Sequence, residues 1–509
     1  MPRTSETFTS MNNKLIPISL ALATILAVWA CNKEKMFTTD PGVKLEFSLD
    51  TLRFDTVFTE LGSATRLLKV YNRHDKSVKI SRIRVGKGDQ SNFRINVDGI
   101  PGNEVRDVVI FPHDSIYVFG EVTVDPDQPL SVSPFVITDE IIFELNGNEQ
   151  SVTLEAWGQN ANYFPNRWFK NGEASFSCNG GEIVWDDPKP YVIYGRIEIR
   201  DCNLRIPAGA RIHVHGGLGK QEFDMDSVRI FNTGLLAIHP SASLLVEGTQ
   251  DNPVIFQGDR LEEEFQDADG QWFGIYLEQG SRGNRFEYAI IKNPLFGIFA
   301  DSAAELTLKN TQILNASGSG LIGIHSDITA ENCLFADNGN RAVQIGFGGT
   351  YDFTYCTLAS FGVDAPALSL SNGICDDPLC STGRVFPLNA LFRNCIIYGS
   401  RRDEISLSDF TGGEEPNTFN YNLKNCIVRV KDLVNPDEFP DFFDFCDPCI
   451  NATPDSTLFV APNEDDYRLD TLSIAEGRAV PVFGIFTDLV GTLRDADHPD
   501  IGCYEYVPE

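Results

Sequence analysis

Between Tyr288 and Val428 the apolar positions recur in step. Tyr288-Ala289-Ile290-Ile291 aligns with Asn310-Thr311-Gln312-Ile313, Asn332-Cys333-Leu334-Phe335, Tyr355-Cys356-Thr357-Leu358, Asn394-Cys395-Ile396-Ile397 and Asn425-Cys426-Ile427-Val428. Each has a polar or Tyr residue, a small one, any residue, then a large apolar one. The small positions are 22, 22, 23, 39 and 31 residues apart. A period near 22 is one coil of a solenoid, and the two long steps are coils with inserted loops. A second ladder runs in phase: Ile275/Leu277, Ile298/Ala300, Ile322/Ile324, Val343/Ile345, Leu368/Leu370 and Ile405/Leu407. Within each pair the residues alternate, so both point inward from one strand. One coil cannot bury its apolar face, but a stack makes a continuous core.

The flanking segments extend this picture. From Lys44 to Gly158 the chain reads as about seven short strands with turns, which predicts a β-sandwich and resembles the immunoglobulin-like modules of exported proteins. Residues 204 to 277 resemble the opening coils of right-handed parallel β-helix repeat proteins, of the pectate-lyase-like kind. Asp466-Tyr467-Arg468-Leu469, Asp488-Leu489-Val490-Gly491 and Pro499-Asp500-Ile501-Gly502-Cys503-Tyr504-Glu505 resemble the C-terminal signature of exported bacterial β-helix proteins, including relatives of polymorphic outer-membrane proteins. The expected fold is all-β: an N-terminal immunoglobulin-like β-sandwich (42–159), a linker and N-terminal cap (160–190), a right-handed parallel β-helix (191–445) and a C-terminal capping segment (446–509).

The N-terminus carries an address. Lys14 precedes an apolar run from Leu15 to Val28, too short for a comfortable membrane span and typical of a signal peptide. Met11 is an alternative start. Val28-Trp29-Ala30-Cys31 resembles a bacterial lipobox, which implies lipidation of Cys31. Trp29 departs from the pattern, so a plain secretory signal stays open. Residues 1–31 are thus the signal and 32–41 a tether. The expected location is the cell envelope, lipid-anchored in the outer membrane of a Gram-negative bacterium, with the membrane face undetermined.

Twelve Cys in an exported chain permit disulfides. Cys178/Cys202, Cys375/Cys380 and Cys446/Cys449 are the candidate pairs. Cys333, Cys356, Cys395 and Cys426 take the small position of the first ladder, so they read as free buried fillers, with inter-coil disulfides as the alternative. Cys503 stands where the resembled signature has a small residue, so it too reads as a filler.

The formal charge of −31 repels a phosphate backbone and excludes nucleic acid as a partner. Residues outward from the second ladder are where chemistry is expected. In the register read above, Glu278, Asp301 and His325 stack on successive coils about 4.8 Å apart, with Tyr276, Phe299 and Gln344 alongside as ligand-binding candidates. Two such carboxylates raise one pKa or share a cation, a nearby imidazole is a base or ligand, and the rings suit the apolar face of a sugar. An ordinary solvated strand face is the bland alternative. The run from Asp259 to Gly270 has six carboxylates but lacks the spacing of a calcium loop. His213 and His215 share a strand face without a visible third ligand and read as structural. No zinc-spaced Cys set, nucleophile elbow or phosphate-binding Gly loop occurs, nor do recognisable pectate-lyase motifs. No metal site or cofactor is required; Ca²⁺ is the ion the acidic face admits.

The leading expectation is an envelope-anchored lipoprotein that presents its β-helix to a glycan or surface protein without catalysis. The alternatives are a polysaccharide lyase or glycoside hydrolase using Glu278, Asp301 and His325, and a purely structural surface protein.

Overall fold

The computed structural model describes residues 37–508 apart from 59–64, 124–134, 167, 170, 224–226, 263–264, 376–381, 416 and 436–441. The signal segment, Cys31 and Cys380 lie outside the described residues. The chain divides into two compact units, the first running essentially to Gly158 and the second from Gln159 to the C-terminus.

The first unit contains two five-stranded sheets. One is ordered Glu46–Phe47, Arg66–Tyr71, Ser115–Val122, Phe93–Val97, Ile100–Gly102. The other is ordered Thr51–Phe58, Asn148–Gln159, Phe135–Leu145, Val78–Val85, Glu104–Ile110. Alternation places one face inward: in Ser115–Val122 the buried positions are Ile116, Val118, Gly120 and Val122. Asn146 and Gly147 both have positive φ, the requirement of the two-residue turn joining the two longest strands. Leu68, Val118, Ile83, Phe143 and Val152, from both sheets, share one core.

The second unit is almost entirely strand, in large parallel sheets. Each passage of the chain adds one strand to three ladders. The first stacks residues 196–199, 235–238, 274–277, 298–300, 321–324, 343–346, 368–371 and 405–408. The second stacks 203–207, 243–247, 284–287, 305–309, 327–331, 349–354, 388–393 and 419–424. Long strands such as Leu321–Glu331 bridge the two, so together they form a 14-stranded sheet. The third ladder is an 11-stranded sheet. Ile275, Leu277, Phe286, Ala289 and Ile291 come from one such passage and belong to one continuous core.

The six-fold motif of the sequence marks the corner into the third ladder. Its first residue adopts the left-handed conformation every time: Tyr288, Asn310, Asn332, Tyr355, Asn394 and Asn425 have φ between 47° and 53°. Asn tolerates that region best after Gly, which explains four of the six. The next residue then turns inward, where Ala289, Thr311, Cys333, Cys356, Cys395 and Cys426 are all fully buried. The four cysteines are free thiols. Cys178 and Cys202 are disulfide-bonded, as are Cys446 and Cys449. Cys375 is disulfide-bonded too.

The C-terminal segment differs from expectation. Only its first residues extend the end of the stack, where Cys449–Asn451 pairs with Cys426–Val428 as the last strand of the 11-stranded sheet. The rest lies along the flank of that sheet, where Phe459, Tyr467, Leu489, Ile501 and Cys503 pack on outward-facing Leu334, Tyr355, Ile396 and Ile427. Those outward positions are themselves apolar, so that sheet needs cover on both faces. The strap is fixed by buried Arg494, which donates to Glu505 (3.1 Å), Asn332 (2.9 Å) and the Gly502 carbonyl (3.0 Å), and stacks over Tyr355 at 3.9 Å.

Two outcomes test this arrangement. Arg494→Ala strands the Glu505 carboxylate in a buried site and is expected to cost about 3–5 kcal/mol in urea denaturation. Cys333, Cys356, Cys395, Cys426 and Cys503 are all buried, and burial pushes the Cys503 thiol up to about 12. Iodoacetamide followed by mass spectrometry should therefore label none of the five in the native protein and all of them in denaturant.

Candidate functional site

The outward side of the first ladder positions the candidate residues. One outward row is Glu198, Ala237, Tyr276, Phe299, Ile322, Gln344, Ser369 and Ser406. The backbone bonds His239 N–H to Ile199 O, Glu278 N–H to Ile238 O and Asp301 N–H to Leu277 O continue the same register by one residue. A second outward row therefore begins His239, Glu278, Asp301.

The next rung corrects the expected stack. Ala300 pairs with Gly323, not Ile324, and Gly323 pairs with Ile345. The inward pair on this strand is Leu321 and Gly323; Ile322 and Ile324 face outward. Leu321-Ile322-Gly323-Ile324 is apolar on both parities, so periodicity alone does not resolve it. The interior decides it. A Cβ on Gly323 would sit 2.8 Å from the Tyr351 ring, which fills that level of the core from the neighbouring ladder. His325 is consequently not stacked on Asp301. It sits in a bulge at φ 47°, its Nδ1 3.2 Å from the Phe347 carbonyl oxygen and its ring 4.9 Å from that of Phe386.

The structure instead brings Glu278 together with two residues that the sequence reading did not single out. One carboxylate oxygen of Glu198, one of Glu278 and a ring nitrogen of His239 lie within 4.8 Å of one another. Ala237 stands between Glu198 and Tyr276 in their row, and its methyl leaves room for Glu198 to reach across a rung. The His239 Nδ1 is 2.8 Å from Ser241 Oγ, and Arg200 bonds Glu198 at 2.6 Å. Partial burial, then Glu198 beside it, holds the Glu278 carboxyl above the usual carboxylate range, with His239 and Arg200 opposing. Glu198 and His239 precede both repeat ladders as read in the sequence; extending the inward alternation back to Ile197/Ile199 and Leu236/Ile238 is the signal that finds them.

Tyr276 and Phe299 are adjacent and half-buried, with ring centroids 5.4 Å apart at 69°. The Tyr276 hydroxyl donates to Asp301 at 2.5 Å, and burial followed by that carboxylate raises the phenol well above its ordinary value. Asp301 thus serves the tyrosine rather than Glu278. Gln344 lies two rungs on, its Oε1 accepting from Ser319 at 3.0 Å. Further along the unit, a groove of about 660 Å³ is lined by Arg341, Asp364, Arg401, Asp403, Ser406 and Asp432 among others.

The other candidates are accounted for structurally. His213 is buried, and burial pushes its imidazole down to about 4, so it is neutral. His215 pairs with Asp259 at 2.6 Å. In the acidic loop Glu262 bonds Arg260 and Asp267 bonds Lys292, so these two carboxylates have local partners.

No family model matches the chain, and no curated protein does. Among solved structures, the catalytic domain of a GH87 α-1,3-glucanase in complex with nigerose is 11% identical, covering 72% of this chain and 82% of that one at a TM-score of 0.22. The catalytic unit of a GH87 α-1,3-glucanase from Streptomyces thermodiastaticus is 8% identical, covering 71% and 68% at 0.21. A PapD-like domain of human CEP192 is 11% identical, covering 25% and 92% at 0.16. Overlap this slight leaves fold and chemistry to be argued from the chain itself.

The Glu278 environment has a measurable consequence. With its folded-state pKa raised, the folded protein holds this proton more tightly than the unfolded chain. Its contribution to stability is full below the unfolded carboxyl value of about 4.3 and is lost as pH rises through the higher folded value. Glu278→Gln should therefore flatten the fall in Tm above about pH 4 relative to the parent protein, as read by calorimetry at successive pH values.

Proposed function

We propose that the second unit is a right-handed parallel β-helix, that the first is an immunoglobulin-like spacer, and that the protein is an envelope lipoprotein which binds a glycan on the outward side of its first ladder without cleaving it. Support for the β-helix comes from three parallel ladders built by successive passages of about 22 residues. Support for the anchor is the apolar run ending at Cys31, which would place the chain in the outer membrane of a Gram-negative bacterium. A surface protein is the other occupant that this face would suit.

The observation that carries the glycan reading is the Tyr276–Phe299 pair. Two half-buried rings meet edge to face on an open strand face, with Asp301, Glu278 and His239 within a rung or two. Sugar rings offer C–H faces for aromatic stacking and hydroxyls for carboxylate and imidazole, and this strip provides both. Most ligand sites are concave, so a half-buried strip along a strand face fits an extended polymer better than a small molecule.

One observation favours the catalytic alternative. Glu198 and Glu278 are within hydrogen-bond reach, with the Glu278 carboxyl raised. One protonated and one ionised carboxyl are the groups that glycoside hydrolysis uses, although this pair stands closer than the roughly 5–5.5 Å of a retaining pair. His325, displaced from the cluster, has no place in that chemistry.

The test uses the full-length chain in detergent on acidic and neutral polysaccharides, reading retention and released ends together. Retention without release is expected, weakened about tenfold by Tyr276→Ala or Phe299→Ala. Release of reducing or unsaturated ends, abolished by Glu278→Gln, would replace this reading with a hydrolase or lyase. No retention on any polysaccharide would leave the structural or protein-binding role.

A further inference from the structure

The groups converging at Glu198, His239 and Glu278 differ in kind from a solvated acidic face. They arise from three consecutive strands of one ladder, Arg196–Pro207, Leu235–Ile238 and Gly274–Leu277, with His239 and Glu278 just beyond the ends of the last two. Their positions are therefore set by a rigid hydrogen-bonded register rather than by a loop. Two oxygens and one nitrogen fall within 4.8 Å of one another, and all three residues are partly buried. Among the described residues this is the one group of three or more His, Cys, Asp or Glu side chains with ligand atoms so close.

Three further features bear on what the cluster does. Arg200 bonds the Glu198 Oε1 at 2.6 Å, which orients that carboxylate. The His239 Nδ1 faces Ser241 Oγ at 2.8 Å, and the same Oγ accepts the Asp201 backbone N–H at 3.1 Å. Ser241 also points its backbone N–H at Nδ1 (3.2 Å), so it holds the ring from that side through two groups, and Nε2 takes a metal in the tautomer that carries the proton on Nδ1. Finally, a carboxylate oxygen of Glu198 and one of Glu278 lie within 4.8 Å of each other despite like charge, a closeness that a cation between them would stabilise.

We propose that Glu198, His239 and Glu278 bind one divalent transition-metal ion, with its remaining positions open to water or to an incoming ligand. An imidazole with two carboxylates suits Zn²⁺ or Mn²⁺ better than Ca²⁺, which prefers six to eight oxygens. Three protein ligands leave at least one position open. The site stands whether or not the neighbouring rings bind a glycan, because the ion is held by this chain's own side chains.

The experiment titrates Mn²⁺ into chelator-stripped, full-length protein in detergent and follows free Mn²⁺ by electron paramagnetic resonance, with no saccharide present. One saturable site per chain is expected, displaced by Zn²⁺ and not by equimolar Ca²⁺. The decisive variant is His239→Gln, which removes a ligand nitrogen without changing any of the 72 acidic residues that attract cations diffusely. It should weaken Mn²⁺ binding at least tenfold with an unchanged circular dichroism spectrum, and Glu278→Gln should do the same. Unaltered affinity in His239→Gln, several weak sites in place of one, or displacement by equimolar Ca²⁺ would each overturn the proposal. Because no sugar is used, failure here leaves the glycan reading untouched, and loss of glycan retention leaves the metal titration untouched.

Discussion

The second unit rests on one constraint: parallel strands about 4.8 Å apart must keep the same inward parity from rung to rung. Each passage of chain offers too few apolar residues to close a core alone, so stability comes from vertical contact between like positions. Ile291, Ile313, Phe335, Leu358, Ile397 and Val428 form one such column, and the small column beside it runs from Ala289 to Cys426. The small column exists because the preceding residue turns the chain through a left-handed corner that leaves little room behind it. Cysteine there is a matter of volume. These thiols are buried, form no disulfide and bond backbone carbonyls instead.

The same constraint organises the outside of the unit. An inward column fixes an outward column, so side chains distant in sequence are set side by side on a stiff surface. Glu198 and Glu278 are 80 residues apart and two rungs apart. On the 11-stranded sheet the outward column is apolar and takes the C-terminal strap as cover. On the first ladder it is polar and aromatic and stays partly open, which is why the candidate chemistry lies there.

Much of this was legible from residues. The repeat with small positions at 289, 311, 333, 356, 395 and 426 keeps its phase along the 11-stranded sheet from Ala289–Lys292 to Cys426–Val428, because an Asn- or Tyr-led corner marks each unit. The inward pairs read from the sequence hold at Ile275/Leu277, Ile298/Ala300, Val343/Ile345, Leu368/Leu370 and Ile405/Leu407. They fail at Ile322/Ile324, where four nearly uniform apolar residues carry no parity. That single slip separated His325 from Glu278 and Asp301. Tyr276 and Phe299 were placed correctly because their rung has clean alternation.

The sequence by itself determined the all-β character, the repeat length, the inward columns wherever apolar and polar residues alternate, and the buried state of the ladder cysteines. Those properties follow from period and side-chain volume, which are local. Tertiary structure decided the parity at Gly323, through the Tyr351 ring that occupies its space, and the course of the C-terminal strap along the flank, through the apolar outer column that receives it. It also decided the company of Glu278. Which side chains meet on the outer face depends on the register of strands tens of residues apart, and a register is set by the packing of the whole stack.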